Sequence, residues 1–365
     1  MRLILTLLAV FSITLSNYAL SSQLSEKSSS TKHEDAIEAV DSLLDALHEA
    51  GRFHGAVAVG LNDDIIYAAG FGQANRNRNV VNTPETQFLI GSLTKQFTAA
   101  LVLRLVHDGT VALNEPISAY LPNYVGPGKN RITLHHLLAH RSGISSFADV
   151  RSAAGGETNA SPLDFEPGTQ YAYSNAGYIL LGLVVETVTG RTYDEVLRER
   201  ILQPAGINNS IGYPSTDARD KLAAGYVDTW WSWGYRRATT VSPDGPFSAG
   251  ALYATPKALV HWTRELHGGA VLPDSLVETM ATPYSDSGYG YGLFVEKETI
   301  PGTGSIKITH HGGGINGFTA ALRRIHQEDG DTIIIAALDN TQGDETVDIT
   351  ERIRHLLTGS ASSRN

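Results

Sequence analysis

The chain contains no cysteine. That absence removes disulfides, thiolate nucleophiles and cysteine-ligated zinc or iron–sulfur centres together, so any chemistry must run on oxygen or nitrogen groups. Positive charge is scarce as well: 28 Lys and Arg stand against 38 Asp and Glu, a formal net charge of -10. With no basic stripe, the chain presents no attractive field to a phosphate backbone, and nucleic acid is not an expected partner. No internal repeat is visible. The apolar run from Leu3 to Leu15 is shorter than a comfortable bilayer span.

That short run follows Met1 and Arg2 and gives way to small and polar residues, with Ala19 and Ser21 in a small-x-small arrangement. The order is that of a secretory signal with cleavage expected near Ser21; an uncleaved anchor is the other reading. No cysteine follows for a lipid to take. Residues 1–21 are therefore expected to be a signal, 22–33 a Ser-rich tether, 34–358 the folded domain and 359–365 a tail. The protein is expected to be exported, periplasmic or secreted, with no stable membrane span once the signal is removed.

A hydrophobic content of 42% over 365 residues is enough for a sizeable core. Ile37, Val40, Leu44 and Leu47 recur at helical spacing and Gly51 supplies a stop, which predicts an amphipathic first helix. Two β-type runs, Ala56 to Val59 and Ile65 to Ala69, flank the turn-forming Asn62, Asp63 and Asp64. The pattern returns near the C-terminus, with Thr319 to Ile325 and Thr332 to Leu338 around Asp329 and Gly330, then a helix from about Glu345 to Leu357. A hairpin and a helix at each end predict an α+β fold: one antiparallel sheet built from both termini and flanked by the N- and C-terminal helices. The middle, about 111–244, reads as a mostly helical inserted subdomain, for example Ala176 to Val188 ended by Gly190. The α/β part would then be about 34–110 and 245–358, with a cleft between the two.

Three segments carry chemistry. Gly91-Ser92-Leu93-Thr94-Lys95 opens a helix with Phe97, Leu101 and Leu105 on its apolar face, and residues three apart share a face, so the Lys95 amine reaches the Ser92 hydroxyl. A serine needs a base to become a nucleophile, a partly desolvated lysine can be that base, and a helix N-terminus favours a developing oxyanion. A solvated Ser–Lys pair on a helix has the same spacing. Tyr171-Ala172-Tyr173-Ser174-Asn175 follows the turn at Glu166 to Thr169. A phenol beside a lysine cation has its pKa lowered, so Tyr173 can relay protons, and Asn175 can hold a substrate amide and fix the lysine. A core tyrosine and a helix-capping asparagine fit the same residues. In Thr309 to Phe318, Gly312 to Gly314 let a substrate approach the backbone, and a freed N–H there with that of Ser92 would form an oxyanion hole. A plain glycine-rich turn is the alternative.

Ser92-x-x-Lys95, Tyr173-x-Asn175 and His311-x-Gly313, in that order, resemble the three motifs of the class C β-lactamase and D,D-peptidase superfamily of serine hydrolases. Ile132 to Gly143, Leu113 to Pro122, Tyr173 to Gly182 and Ser248 to Thr255 are also similar, so the resemblance runs from about Gly55 to Leu338. It implies a serine β-lactamase/transpeptidase-like fold, acylation of Ser92, base and acid duty shared by Lys95 and Tyr173, and a substrate-binding set of Asn175, His311 and Gly313. The oxyanion hole would be the N–H groups of Ser92 and Gly314. True class C β-lactamases carry Lys-Thr-Gly where this chain has His311-Gly312-Gly313. A lysine is a permanent cation suited to a substrate carboxylate, whereas a histidine is largely neutral near pH 7. The variant therefore looks more like the esterases, D-aminopeptidases and peptidase-like members.

The expected function is hydrolysis of a small-molecule or peptide ester or amide, with no cofactor and no metal. A binding or sensor module with slow turnover and a true β-lactamase are the alternatives. His136 and His140, four apart in an expected helix, have a spacing that can bind zinc, but no glutamate follows His136 and the segment matches a structural stretch of the family. Trp230, Trp231, Trp233 and Tyr235 either line an acyl pocket or pack as core or lid. His107, His261 and His267 read as ordinary helix-surface or core histidines.

Overall fold

The computed structural model describes residues 34–157, 162–214, 222–229, 234–300, 304–343 and 345–359. The expected signal and tether, Trp230, Trp231 and Trp233, and residues 360–365 of the expected tail lie outside the described residues.

The central layer is one antiparallel sheet of six strands. Gly55–Leu61 (β1) and Asp64–Gly70 (β2) form the N-terminal hairpin. Phe294–Ile300 (β3), Gly304–Ile315 (β4), Phe318–Gln327 (β5) and Thr332–Asp339 (β6) follow near the other end of the chain. Their order is β3-β4-β5-β6-β1-β2, so the first strand lies beside the last, with Gly55 opposite Asp339.

Period-2 alternation explains why this sheet is covered on both sides. Val57, Val59, Ile333, Ile335 and Ala337 pack against Val40, Leu44 and Leu47 of the first helix, and against Ile349, Ile353 and Leu357 of the last. We name these helices α1 (34–49) and α5 (Glu345–Thr358). The intervening residues Ala56, Ala58, Ile334, Ala336 and Leu338 point the other way, into a larger core. That core holds Thr94–His107 (α2), Asn175–Thr189 (α3) and Pro256–His267 (α4). The α+β architecture with flanking terminal helices is thus the one the periodicities predict. Among the described residues, no helix is long and apolar enough to cross a membrane.

Helices α2 and α3 begin at two of the three chemistry-bearing segments. From Thr94 to Leu103 every residue of α2 is buried, polar ones included, so this helix runs through the interior and is not an amphipathic surface helix. Its Phe97 ring stacks on Trp262 of α4 at 4.2 Å. The start of α3 is fixed by the Ser174 side chain, which accepts from the Gly177 N–H, and its end by Gly190 in the left-handed conformation at φ 66.

Strand β3 was not expected. Its central residues, Glu296, Lys297, Glu298 and Thr299, are exposed and charged or polar, as suits an edge strand that must not recruit another chain. In the middle of the sheet, Ile335 is fully buried. Ile335→Ala should lower the unfolding free energy by about 3 kcal/mol, read as a shift in the urea midpoint with an unchanged slope.

Candidate active site

Ser92 sits on a tight turn, Gly91–Leu93, that feeds directly into α2. Gly91 has φ 51, a left-handed conformation, and a Cβ on it would lie 2.8 Å from the Gly314 nitrogen. Only glycine lets the serine turn sit this close to strand β4. Three residues on, Lys95 is completely buried, and its Nζ lies 3.1 Å from Ser92 Oγ, 2.8 Å from Asn175 Oδ1 and 2.7 Å from the Ala249 carbonyl oxygen.

Burial pushes the Lys95 pKa down to about 7. A neutral amine has two N–H donors and one lone pair. Asn175 Oδ1 and the Ala249 carbonyl take the two donors, which leaves the lone pair for the Ser92 hydroxyl proton. The lysine is therefore both deprotonated with ease and aimed.

Tyr173 completes the set, its hydroxyl close enough to the Ser92 side chain to interact with it electrostatically. The expectation that a neighbouring lysine lowers the phenol pKa is corrected here. Burial raises it well above the usual tyrosine range, and Lys95 Nζ lies over the ring face, 4.9 Å from its centroid. Tyr173 is thus a protonated donor at neutral pH. Asn175 is not the cap of α3, since Ser174 takes that role; its Oδ1 is free to hold Lys95, while its backbone N–H and Nδ2 donate to Ser146 Oγ at 3.0 and 3.3 Å.

The third segment is strand, not turn. Pairing of β3 with β4 ends at His310, whereas β4 continues beside β5 as far as Ile315. Residues His311 to Ile315 therefore have one edge with no strand partner, and that edge faces the serine turn. A Cβ on Gly313 would stand 2.0 Å from the Ile90 carbonyl oxygen. A Cβ on Gly314 would meet nothing within 4 Å; by alternation it points to the α5 face, as Gly312 does toward Val347, while Gly314 itself also lines a cleft of about 270 Å³ with Ser92, Ser146, Phe147 and Asn175. Ser92 and Gly314, the expected oxyanion pair, thus share one cleft wall.

His311 is buried beside this cleft. Its Nδ1–H donates to the Gly312 carbonyl at 2.5 Å, so Nε2 accepts from the Tyr289 hydroxyl at 3.3 Å. Burial, with the Lys95 cation nearby, lowers its pKa to about 3. The imidazole is neutral, and both its nitrogens are occupied by the protein.

Other expectations resolve differently. His136 and His140 do not share a helical face: the helix Leu134–Leu138 ends between them, His136 Nδ1 accepts from the Thr133 N–H in a capping box, and His140 has φ 55. Tyr235 donates to the Gly51 carbonyl at 3.0 Å and lies under the Arg76 guanidinium. The sequence reading did not single out Ser146, the Ala249 carbonyl or Tyr289, nor Phe147, which stands 96% exposed at the cleft mouth. Ala249 falls within a stretch that resembles the family, the only signal available for it.

The fold defines a serine β-lactamase/transpeptidase-type protein. It superposes on the octameric penicillin-binding protein homologue from Pyrococcus abyssi with a TM-score of 0.75 and 25% identity, covering 89% of this chain and 78% of that one. The penicillin-binding protein from Bacillus halodurans gives 0.71 and 27%, covering 86% and 99%. The chain belongs to the Beta-lactamase family, whose profile matches residues 40–359. Among curated relatives, a putative penicillin-binding protein, PbpX, of Bacillus subtilis is 29% identical over 74% of this chain and 70% of its own length. A D-aminopeptidase of Gluconobacter oxydans is 29% identical over 74% of this chain, and a teichoic acid D-alanine hydrolase of Staphylococcus aureus 28% over 58%. The matches span only 53% and 54% of those two relatives. The chain is accordingly a β-lactamase-related hydrolase of amide or ester bonds.

The two glycines make a paired prediction. Gly313→Ala forces β4 away from the serine turn and should cost about a hundredfold in kcat/KM for an activated ester, with a lowered melting temperature. Gly314→Ala should melt like the wild type and keep most of its activity, because its Cβ enters open space on the face away from the serine turn.

Proposed function

We propose that the protein hydrolyses small esters or amides through a Ser92 acyl-enzyme, on substrates with D-amino acid or peptidoglycan-like features, after export from the cytoplasm. The observation that carries this reading is the 3.1 Å approach of Ser92 Oγ to a fully buried Lys95 with a pKa near 7. Neutral Lys95 takes the Ser92 proton as Oγ bonds to the substrate carbonyl carbon, and the oxyanion is held by the Ser92 and Gly314 N–H groups. Tyr173 gives its proton to the leaving alcohol or amine as the old bond breaks, and is reprotonated from Lys95. Water then attacks the acyl-enzyme, yielding one proton to the Lys95–Tyr173 pair, which returns it to Ser92 Oγ. Asn175 orients the substrate and Lys95 together.

The neutral, internally bonded His311 supports a preference away from β-lactams, since it supplies no cation for a substrate carboxylate. The relatives named D-aminopeptidase and teichoic acid D-alanine hydrolase support a D-configured substrate of the cell envelope. The apolar run at Leu3 to Leu15 supports export.

Ser92→Ala should abolish turnover of a chromogenic ester and leave the circular dichroism unchanged; retained activity rejects the nucleophile. Within a panel of that ester, a β-lactam, a D-Ala-D-Ala peptide and a D-amino acid amide, the ester should be turned over fastest, because an activated ester asks least of the pocket. A β-lactam hydrolysed faster contradicts the role given to His311, and a stable Ser92 adduct without turnover identifies a sensor.

The pH dependence follows from Lys95, which must be neutral to act. Below its pKa of about 7 the amine is protonated. With a non-ionising ester, log kcat/KM should therefore rise about one unit per pH unit on the acid side and flatten above neutrality. A profile that is flat from pH 5 to 8 rules Lys95 out as the base.

A further inference from the structure

His140 belongs to none of the three motifs, and its geometry is costly. It adopts φ 55, a left-handed conformation unusual for a residue other than glycine, at 1% exposure. Its ring Nε2 is buried with no hydrogen-bond partner among the described residues. Buried polar atoms left unpaired are rare and call for an explanation.

The explanation lies in what the rest of the residue holds. The His140 carbonyl accepts from the Ala172 N–H at 2.9 Å, and its Nδ1 accepts from the Ser174 N–H at 3.1 Å. Those are the two residues flanking Tyr173. The imidazole also lies against the Tyr173 ring, with centroids 4.3 Å apart. One residue therefore grips the backbone on both sides of the tyrosine and supports its side chain. Because Nδ1 must accept from a backbone N–H, the hydrogen sits on Nε2, and the ring is a neutral acceptor with a fixed tautomer. Burial, with the Lys95 charge close by, holds the imidazole well below the usual histidine range, which keeps that acceptor available. The left-handed turn at His140 is what brings its carbonyl and its Nδ1 to bear on the same short segment.

We propose that His140 is a positioning residue, gripping Ala172 and Ser174 so that the Tyr173 phenol and the Asn175 amide stay in register with Ser92 and Lys95. The inference rests on the acyl-enzyme reading of Ser92. It goes further by assigning a function to a residue that touches neither substrate nor nucleophile.

Two variants separate this from a merely structural role. His140→Gly keeps the left-handed backbone without strain but removes the acceptor and the ring. His140→Asn also tolerates that backbone and places Oδ1 near the position of Nδ1. The probe is an alkyl fluorophosphonate, which forms an Oγ–P bond at Ser92 with loss of fluoride. It yields both the fraction of reactive sites and the rate constant of each site. His140→Gly should lower that rate constant by about tenfold or more, and His140→Asn should restore it to within about fivefold of the wild type. A structural role would reduce the fraction of reactive sites and leave the rate constant unmoved, and that result overturns the proposal. So does His140→Asn reacting no faster than His140→Gly. If His140→Gly does not fold, His140→Asn decides alone, a deficit of more than about fivefold counting against the proposal. Failure of wild-type Ser92 to react at all, or labelling that survives Ser92→Ala, strikes the acyl-enzyme reading itself and is seen before any His140 variant is made.

Discussion

The burial of one lysine organises the site. An ammonium with no access to water is expensive, and the protein meets that expense by letting Lys95 release its proton near neutrality and by spending both remaining N–H donors on fixed carbonyl oxygens. Each of those acceptors comes from a different part of the chain. Asn175 stands at the start of α3, and Ala249 lies in the short helix Phe247–Gly250. The orientation of the lone pair is consequently a property of the whole core around α2, not of the Ser-x-x-Lys spacing by itself.

A second constraint is the closeness of two backbones. The serine turn and the bare edge of β4 approach until no side-chain carbon fits at Gly91 or Gly313. Main-chain N–H groups are rigid donors, and placing them near Ser92 requires no side chain to be ordered. Glycine is required here for space at Gly313 and for both space and a left-handed φ at Gly91. Histidine at position 311 fits the same logic. Once both its nitrogens are bonded internally, it serves as part of the wall and not as a charge.

Much of this was legible before any coordinates. The terminal hairpins announce themselves because Val57 and Val59 alternate with Ala56 and Ala58, and α1 because Val40, Leu44 and Leu47 fall on one stripe. The motif residues Ser92, Lys95, Tyr173, Asn175, His311 and Gly313 could be picked out by order and flanking text, and the fold brings them to one place. What the sequence concealed has physical causes. The direction of the Tyr173 shift depends on burial, which no local spacing encodes. The Ala249 contribution is a carbonyl, which every residue possesses. Strand β3 is charged along its exposed middle and carries no apolar alternation to betray it. His136 and His140 have the separation of a metal pair only if the helix continues, and the chain turns left-handed instead.

The pairing of the first strand with the last has a bearing on how the protein comes into being. Gly55 cannot find Asp339 until every element between them has left the ribosome. The strand edge that faces the serine turn belongs to that late-arriving half. A nascent chain therefore carries Ser92 long before it can place Gly313 and Gly314 beside it, and contacts this distant along the chain form slowly. Such a topology makes closure of the central sheet a late step of folding, since its middle pairing waits on contacts far apart along the chain.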